Sequence, residues 1–301
     1  MAPTAPVKIV YVTDPGFLKP TLVSVWSLLE TITGKAELHI WGANLTDEHW
    51  HNISRVAAIN PNITLVTKNL DAEHLEGAHG PTDYISAATM GRLFIPRYID
   101  GYALYIDGDT LVVNDVAPLF QIDLGSAYAG VTRDYTLLHW LADETAMGKD
   151  GTTRISEVND FMHPARSGDY FNAGIMLFNC DQIRSEPELA RNVANVALAS
   201  SRTHGDQDHL NILFRNNVRF LDIGWNLSWG RSGRHRKIFR KLKLPECGSH
   251  AMGSRIVHYH GPQKPWHCPR KDIWSSKGRA TFRYRRRLRL FSTLFPDLRP
   301  E

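Results

Sequence analysis

Two aspartates, Asp107 and Asp109, lie on either side of Gly108 directly after the apolar run at residues 103–106. A carboxylate is costly to remove from water unless it is paired or bound to a metal, so a pair at the rim of a core requires an explanation. Residues two apart on an extended chain point to the same side, so both carboxylates can share one ligand. Their oxygen atoms suit Mg²⁺ or Mn²⁺, ions that commonly hold a substrate's phosphates.

Two other interpretations of this stretch stay open. The aspartates can bond their own backbone in a surface turn that Gly108 assists. Asp-x-Asp-Thr after a strand also resembles the nucleophile motif of haloacid-dehalogenase-type phosphatases, in which Asp107 would be phosphorylated. The phosphatase interpretation is disfavoured, because it needs a later strand that ends in a second acidic pair. The only later candidates, Asp206 and Asp208, follow no apolar strand. No glycine-rich phosphate loop is present either.

Apolar runs and helical periodicity alternate along the chain and place the aspartates at one edge of a sheet. The patterns predict strands at Val7–Thr13, 37–41, 63–67, 103–106, 128–132 and 174–178. They predict helices at 17–32, 46–59, 86–93 and 186–200, and one more that starts within 204–214. This alternation indicates an α/β fold with a single, mixed but mainly parallel sheet flanked by helices. Ligands of such sheets bind beyond the carboxyl ends of the strands, where Asp107 and Asp109 lie.

The composition is that of an ordinary globular protein, with 43% hydrophobic and 22% charged residues among 301. Three cysteines, Cys180, Cys247 and Cys268, are far apart and form no CxxC pair, so they indicate neither a disulfide framework nor a thiolate zinc site. The N-terminus has no signal-peptide pattern, and no apolar run reaches the ~18 residues of a membrane span. We therefore expect a cytoplasmic protein.

Positive charge is concentrated in two segments. Residues 231–243 contain seven Lys or Arg and residues 279–289 contain six Arg, and neither segment contains an acid. Without these thirteen cations the formal net charge of +4 becomes −9. The basic character is therefore local, which indicates surfaces that meet an anionic partner.

Four sequence blocks carry a resemblance to a known family: IDGDTLVVND (106–115), YFNAGIMLFN (170–179), HGDQDHLN (204–211) and IVHYHGPQKPW (256–266). In this order they resemble the retaining glycosyltransferases of family 8, which include the bacterial lipooligosaccharide galactosyltransferases and glycogenin. The resemblance extends from about Val7 to Trp266. It implies a GT-A fold with a Rossmann-like nucleotide-binding half, a UDP-sugar donor and a Mn²⁺ ion, with Mg²⁺ as the alternative.

The resemblance also implies the metal ligands. Asp107 and Asp109 correspond to the two aspartates of the family's DxD motif, and His258 corresponds to the third protein ligand. His260 shares the strand face with His258, so spacing alone does not choose between them. An imidazole beside two carboxylates favours Mn²⁺ over Mg²⁺, which prefers oxygen ligands.

The donor contacts follow from the same resemblance. Lys264 and Gly261 match the pyrophosphate site, Asp14 the uracil contact, and Phe17 an aromatic residue that stacks on the base. Pro15 and Gly16 depart from the family pattern in that loop. The implied donor-binding residues are Asp14, Phe17, Arg92, Asp107, Gly108, Asn172, Ala173, Asp206, Gln207, Gly261 and Lys264. Taken singly, Lys264 is also consistent with a solvated charge, Arg92 with a helix surface and Asp206 with a helix cap.

Asp206 and Gln207 are the implied catalytic residues, Asp206 on the hydroxyls of the donor sugar and Gln207 near its anomeric carbon. A retaining glycosidase uses a carboxylate nucleophile on the far side of that carbon, and the amide of Gln207 is a poor substitute. The hypothesis is a front-face substitution in which the leaving UDP oxygen accepts the proton of the acceptor and Gln207 stabilises positive charge on the sugar. A non-catalytic module that binds a nucleotide sugar or nucleic acid is the alternative from another class.

We predict a glycosyltransferase domain at residues 1–274 and a basic, aromatic tail at residues 275–301. Cations mixed with aromatic residues suit the headgroup zone of an anionic membrane, and family relatives carry a similar C-terminus. The prediction is peripheral attachment to the inner face of the membrane, so truncation after Lys277 should release the protein from anionic vesicles and leave turnover intact. Nucleic acid and a solvated chain end are the alternatives. Loops at 142–162 are expected to shape the site of a saccharide or glycolipid acceptor.

Overall fold

The computed structural model describes residues 6–71, 74, 76–78, 87–245, 253–268 and 272–300. Cys247 and the predicted cap Ser86 lie outside these residues. The strands are β1 Val7–Thr13, β2 Ala36–Ala43, β3 Ile63–Leu70, β4 Tyr102–Ile106, β5 Thr110–Val112, β6 Ala129–Arg133, β7 Phe171–Asn179, β8 Val218–Phe220, β9 Leu227–Ser228 and β10 Ile256–His258. The helices are α1 Leu18–Leu29, α2 Asp47–Ala57, α3 Ile95–Tyr98, α4 Tyr135–Ala142, α5 Lys149–Met162, α6 Cys180–Arg184, α7 Pro187–Val193, α8 Val196–Ser200, α9 Gly205–Phe214, α10 Ser232–Lys241 and α11 Ser276–Leu294.

Seven strands form the main sheet in the order β3-β2-β1-β4-β7-β6-β8. Strands β1 to β4 are parallel to one another, and β8 is parallel to β6. Strand β7 runs antiparallel to both of its neighbours, β4 and β6. The predicted α/β class with a mixed, mainly parallel sheet is therefore confirmed. A smaller sheet, β5-β10-β9, lies beside it and carries His258 at the end of β10.

Strand β1 shows why strands of this sheet correspond to uninterrupted apolar runs in the sequence. Ile9 and Tyr11 belong to one buried cluster, whereas Val10 and Val12 belong to another on the opposite face of the sheet. A strand covered on both faces requires apolar side chains at odd and even positions alike. The run ends at Thr13, and the next residue, Asp14, lies at the edge where the cavity opens.

The C-terminal segment differs from the appendage that its composition indicates. Helix α11 packs against α1, with Tyr284, Leu288 and Phe291 buried in the main core cluster. The ring of Phe291 lies 5.9 Å from that of Trp26, centroid to centroid, in an edge-on contact. The helix therefore completes one face of the core. Truncation after Lys277 would uncover that core, so it cannot separate membrane binding from folding.

The other face of α11 is exposed. Phe282, Leu290 and Leu294 have 53%, 48% and 56% of their surface accessible, and arginines alternate with them. Nearby Trp274, just before the helix, is 86% exposed. None of the helices in the described ranges is both long and apolar enough to cross a bilayer.

Three predicted elements are locally different in the structure. Residues 142–162 were expected as loops, but most of them form α5. Residues 186–200 form two short helices, α7 and α8, because the side chain of Asn195 accepts a hydrogen bond from the N–H of Leu198 and starts a new helix. Residues Ala87–Phe94 form a 3-10 helix that leads into α3.

Candidate active site

One cavity of about 660 Å³ opens at the carboxyl ends of β1 and β4. It is lined by all of the residues that the sequence motifs indicate. They are Asp14, Phe17, Arg92, Asp107, Gly108, Asp109, Asn172, Ala173, Asp206, Gln207, His258, Gly261 and Lys264. These residues come from distant parts of the chain, so the fold brings the four sequence blocks to a single place.

Asp107, Asp109 and His258 form a cluster that could hold a metal ion. One ligand atom from each residue lies within 4.8 Å of the other two. The Nε2 atom of His258 is 3.2 Å from Oδ1 of Asp109 and 3.6 Å from Oδ2 of Asp107. Among the described residues this is the one group of three or more such side chains that meets this distance.

Backbone hydrogen bonds fix both aspartates. The N–H of Asp107 donates to the carbonyl of Gly174 at 2.7 Å, and the N–H of Tyr259 donates to the carbonyl of Asp109 at 2.9 Å. Gly174 is required here, because a Cβ atom would lie 2.3 Å from Cε1 of His258 and 2.6 Å from Oδ2 of Asp107. The absence of a side chain on β7 therefore leaves the space in which the cluster assembles.

Asn226 orients the histidine and was not predicted. Its Oδ1 atom lies 2.9 Å from Nδ1 of His258. An amide oxygen only accepts, so Nδ1 donates to Asn226 and Nε2 is the ring nitrogen that faces the two aspartates. The amide of Asn226 also donates to Oδ1 of Asn172 at 2.8 Å. Such a partner is typical of histidines that bind metals, but 32 residues separate the pair and no local pattern connects them.

Asp109 is held in its ionised form. Burial raises its pKa, but Lys264 and His258 outweigh burial and hold the pKa well below the usual range of an aspartate. The Nζ atom of Lys264 is 2.6 Å from Oδ2 of Asp109. Lys264 is therefore a largely buried partner of the cluster rather than a solvated charge.

Arg92 connects the cluster to the opposite wall. It is only 5% exposed, and its Nε atom lies 2.6 Å from Oδ2 of Asp206. Its Nη2 atom is 3.3 Å from Oδ1 of Asp107, and Nη1 donates to the carbonyl of Ala173 at 2.7 Å. Burial lowers the pKa of this guanidinium, but the two carboxylates raise it above its usual value. Arg92 is thus a permanent buried cation and not a helix-surface residue.

Asp206 is buried in the same wall, at 5% exposure. Burial raises its pKa, Arg92 lowers it and Asp107 raises it again, with a result of about 6. Its Oδ2 atom contacts Arg92 but has no hydrogen-bond donor among the described residues. The ion pair with Arg92 compensates for the burial of this oxygen, and its remaining lone pair can accept a hydrogen bond from a ligand.

Gln207 has a fixed orientation. Its Oε1 atom accepts from the N–H of Ala173 at 3.1 Å and from Nδ2 of Asn172 at 3.2 Å. Its Nε2 donates to the hydroxyl of Tyr170 at 2.9 Å, and that hydroxyl donates to Asp208 at 2.7 Å. The amide is therefore positioned from both ends.

Residues 8–269 match the protein-family model described as glycosyl transferase family 8. This chain belongs to glycosyltransferase family 8. The resemblance in the four blocks is thereby confirmed.

Family 8 relatives cover most of the chain. It is 25% identical to a putative glycosyltransferase of Haemophilus influenzae over 264 residues, and 25% identical to the lipopolysaccharide 1,3-galactosyltransferase of Salmonella typhimurium over 276 residues. Each match covers 86% of this chain and 72% of the relative. The structure also resembles the galactosyltransferase LgtC, solved with donor and acceptor sugar analogues, with a TM-score of 0.68 and 23% identity over 93% of this chain and 96% of that one. The GT-A fold is thereby confirmed.

The far wall of this family 8 cavity comes from helices. Thr136, Leu137 and Trp140 of α4 and Arg154 of α5 line it. Arg154 is held by Tyr170 at 3.0 Å and by a close contact with Asp208. The sequence analysis expected loops at 142–162 to shape the acceptor site, and it assigned no role to Thr136, Leu137 or Trp140, because their position at the cavity depends on the fold. The cavity therefore has a charged end on strands and a second end, with an indole side chain, on helices.

Proposed function

We propose that this family 8 enzyme transfers a hexose, galactose or glucose, from UDP to a saccharide or glycolipid acceptor with retention. Its place would be the synthesis of lipopolysaccharide or another surface glycan, as the name of the Salmonella relative states for that protein. The observation that carries the proposal is the cluster of Asp107, Asp109 and His258 beside Lys264 in the same cavity. Carboxylates next to cations suit a metal–diphosphate ligand.

The donor set fits a divalent ion. Two carboxylates converge with an imidazole whose Nε2 atom faces them, and Gly174 leaves room beside them. This mixture of oxygen and nitrogen ligands favours Mn²⁺, with Mg²⁺ as the alternative. When bound, the ion would neutralise the charge that develops on departing UDP.

The remaining donor contacts follow from position in the cavity. Lys264 and Arg92 supply positive charge on two sides of the aspartates and would contact the diphosphate and the sugar. Asp14 and Phe17 lie at the end of β1 and would hold the uracil base. Gly261 adopts a φ of +91°, which a side chain would strain, and would let the backbone approach the phosphates. Gly108, Asn172 and Ala173 would border the donor sugar.

Asp206 and Gln207 would act at the sugar itself. The Oδ2 atom of Asp206 would accept hydrogen bonds from the sugar hydroxyls. Gln207, held by Ala173 and Tyr170, would present its amide oxygen to positive charge at the anomeric carbon. In a front-face substitution the bond from the anomeric carbon to the UDP oxygen breaks while the acceptor oxygen bonds from the same side, and the UDP oxygen takes the acceptor proton. Trapping of a covalent glycosyl-enzyme on Asp206 would refute this course.

The acceptor would enter at the helical end. Trp140 offers an aromatic face against which a sugar ring can pack, and Thr136 offers a hydroxyl. We place the enzyme in the cytoplasm, peripheral on the inner face of the membrane. The exposed arginines, Phe282 and Trp274 would meet the anionic headgroups.

The phosphatase alternative finds no support. Asp208, one of its two later acidic candidates, is buried against Arg154 and Tyr170. Experiments can distinguish a non-catalytic binding module from the enzyme. A module that binds a nucleotide sugar would bind UDP without turnover. A module that binds nucleic acid would show salt-sensitive binding of nucleic acid.

The test is UDP release from a panel of UDP-sugars with Mn²⁺, with and without EDTA, so that slow donor hydrolysis reports without a known acceptor. We expect release from one donor, lost in EDTA and restored by Mn²⁺. Metal-dependent UDP binding with no release from any donor would instead identify a binding module. Phosphate ester hydrolysis with no UDP-sugar turnover would favour the phosphatase alternative.

A further inference from the structure

A second cavity, of about 290 Å³, lies on helix α11 away from the donor pocket. It is lined by Trp266, Arg285, Arg289, Ser292, Thr293 and Arg299, together with Leu288. Each helix residue among these has another three or four positions away, so together they form one face of α11. Arg299 follows the turn Pro296–Leu298 and closes the cavity from the other side. We call this the arginine cavity; it shares no lining residue with the candidate active site.

Three arginines, Arg285, Arg289 and Arg299, line this cavity. Arg285 donates to the carbonyl of Cys268, which ties its side chain to the loop that carries Trp266. Arg289 and Arg299 form no ion pair with a carboxylate in the part of the chain that the structure describes. Helix α11 has no acidic residue, and the nearby Asp297 is paired with Arg55 at 2.7 Å. Like charges held together repel, so an anion in the cavity would be strongly favoured.

The chemistry of the lining selects the anion. A guanidinium group presents parallel N–H donors that match phosphate oxygens two at a time. Three such groups with two hydroxyls can surround the oxygens of one phosphate, and 290 Å³ accommodates a phosphate with a small substituent but not a folded partner. Trp266 and the buried Leu288 add an apolar wall for that substituent.

We propose that the arginine cavity binds a phosphate monoester, either a free phosphate ester or the head group of a lipid. The site is separate from the donor pocket but is connected to it through one aromatic contact. Trp266 lines the arginine cavity, and its ring lies 5.9 Å from that of Phe17, which lines the donor pocket. The proposal does not rest on the transferase function, because binding alone defines it.

The first arm of the test uses a soluble ligand. Glycerol 3-phosphate is titrated calorimetrically into the full chain in the presence of excess UDP and Mn²⁺, which occupies the donor site. We expect saturable binding that Arg289→Gln combined with Arg299→Gln weakens by about tenfold or more, since the variant removes two charged hydrogen-bond donors from the cavity. The control is Arg283→Gln combined with Arg286→Gln, which removes equal charge from exposed positions of the same helix outside the cavity.

The second arm separates the two sources. Vesicles with phosphatidic acid, a phosphate monoester, are compared with phosphatidylglycerol vesicles of equal surface charge. A preference for phosphatidic acid that only the Arg289/Arg299 variant loses assigns the site to a lipid head group. Soluble binding without that preference assigns it to a free phosphate ester. No binding of glycerol 3-phosphate together with no preference for phosphatidic acid, or equal losses of glycerol 3-phosphate binding in the cavity and control variants, would overturn the proposal.

Discussion

The carboxylate cluster and the arginine cavity are both concentrations of charge, and they are built in opposite ways. Asp107, Asp109 and His258 lie at strand ends, where backbone hydrogen bonds and cationic partners fix them. The arginines of α11 lie on a helix face, and neither Arg289 nor Arg299 has a carboxylate partner within the described residues. In the carboxylate cluster, the charges are balanced by partners from distant parts of the chain. In the arginine cavity, like charges come together because arginine recurs along one helix. Removal of a charge should therefore be severe in the first region and graded in the second.

The largest effect is expected for Asp109→Asn. The variant removes a ligand charge and leaves Lys264 without its partner, so UDP release should fall by about a thousandfold or more while the fold is retained. Steady-state UDP release measures the activity, and the melting temperature shows whether the fold is retained. Asp160→Asn, at an exposed position, is the matched control and should change neither. Retained activity in Asp109→Asn would remove the metal assignment.

The second effect tests whether α11 has a structural face as well as a charged one. Phe291→Ala deletes a ring that packs on Trp26 and should lower the free energy of unfolding by about 3–5 kcal/mol. Phe282→Ala, on the exposed face of the same helix, should change it by roughly 0.5 kcal/mol or less. Urea unfolding compares the two. Equal losses would mean that the helix has no distinct inner face.

The third effect is the pH dependence of stability that comes from a buried histidine on the basic helix α10. His235 of α10 stacks on Tyr135 with ring centroids 4.5 Å apart, and neither of its nitrogens has a hydrogen-bond partner among the described residues. Burial, His260 and Arg231 lower its pKa to about 3. Between that value and 6.5 the unfolded chain binds more protons than the folded one, so stability falls as the pH falls through this window.

Replacement of that side chain isolates its contribution. The variant His235→Phe keeps the stacked ring. Between pH 7 and pH 5 its free energy of unfolding should fall by about 2 kcal/mol less than that of the wild type. Unfolding in urea at the two pH values measures this. The control, His51→Gln at an exposed position, should behave as the wild type does. An unchanged pH dependence in His235→Phe would show that this group does not contribute.

The smallest effect belongs to the exposed cations of α11. Arg286→Gln should weaken binding to anionic vesicles by about fivefold, since one cation at the surface is worth about 1 kcal/mol, and added salt should reduce the difference. Vesicle sedimentation at two salt concentrations measures it, and UDP release should be unchanged. Glu48→Gln on the exposed face of α2 is a control for a charge change elsewhere. If Arg286→Gln bound vesicles as tightly as the wild type, membrane attachment through this face would be contradicted.

The sequence predicted the parts of this molecule whose signal is local. Strand β1 is an uninterrupted apolar run, and Asp107 and Asp109 follow β4 within one short block, so both were found from neighbouring residues. Asn226 was missed because 32 residues separate it from His258 and no local sequence pattern connects the two. The core face of α11 was missed because arginines separate Tyr284, Leu288 and Phe291, and only the packing against α1 shows that these three lie on one side.

The contribution of α11 to the core has a consequence for the synthesis of the chain. The strands and helix α1 emerge from the ribosome long before residue 291, yet Trp26 and Tyr259 are covered only when α11 docks. During translation this face of the sheet stays open, and a nascent chain with an uncovered apolar face is a substrate for chaperones. This face of the core is therefore completed only after helix α11 has been made.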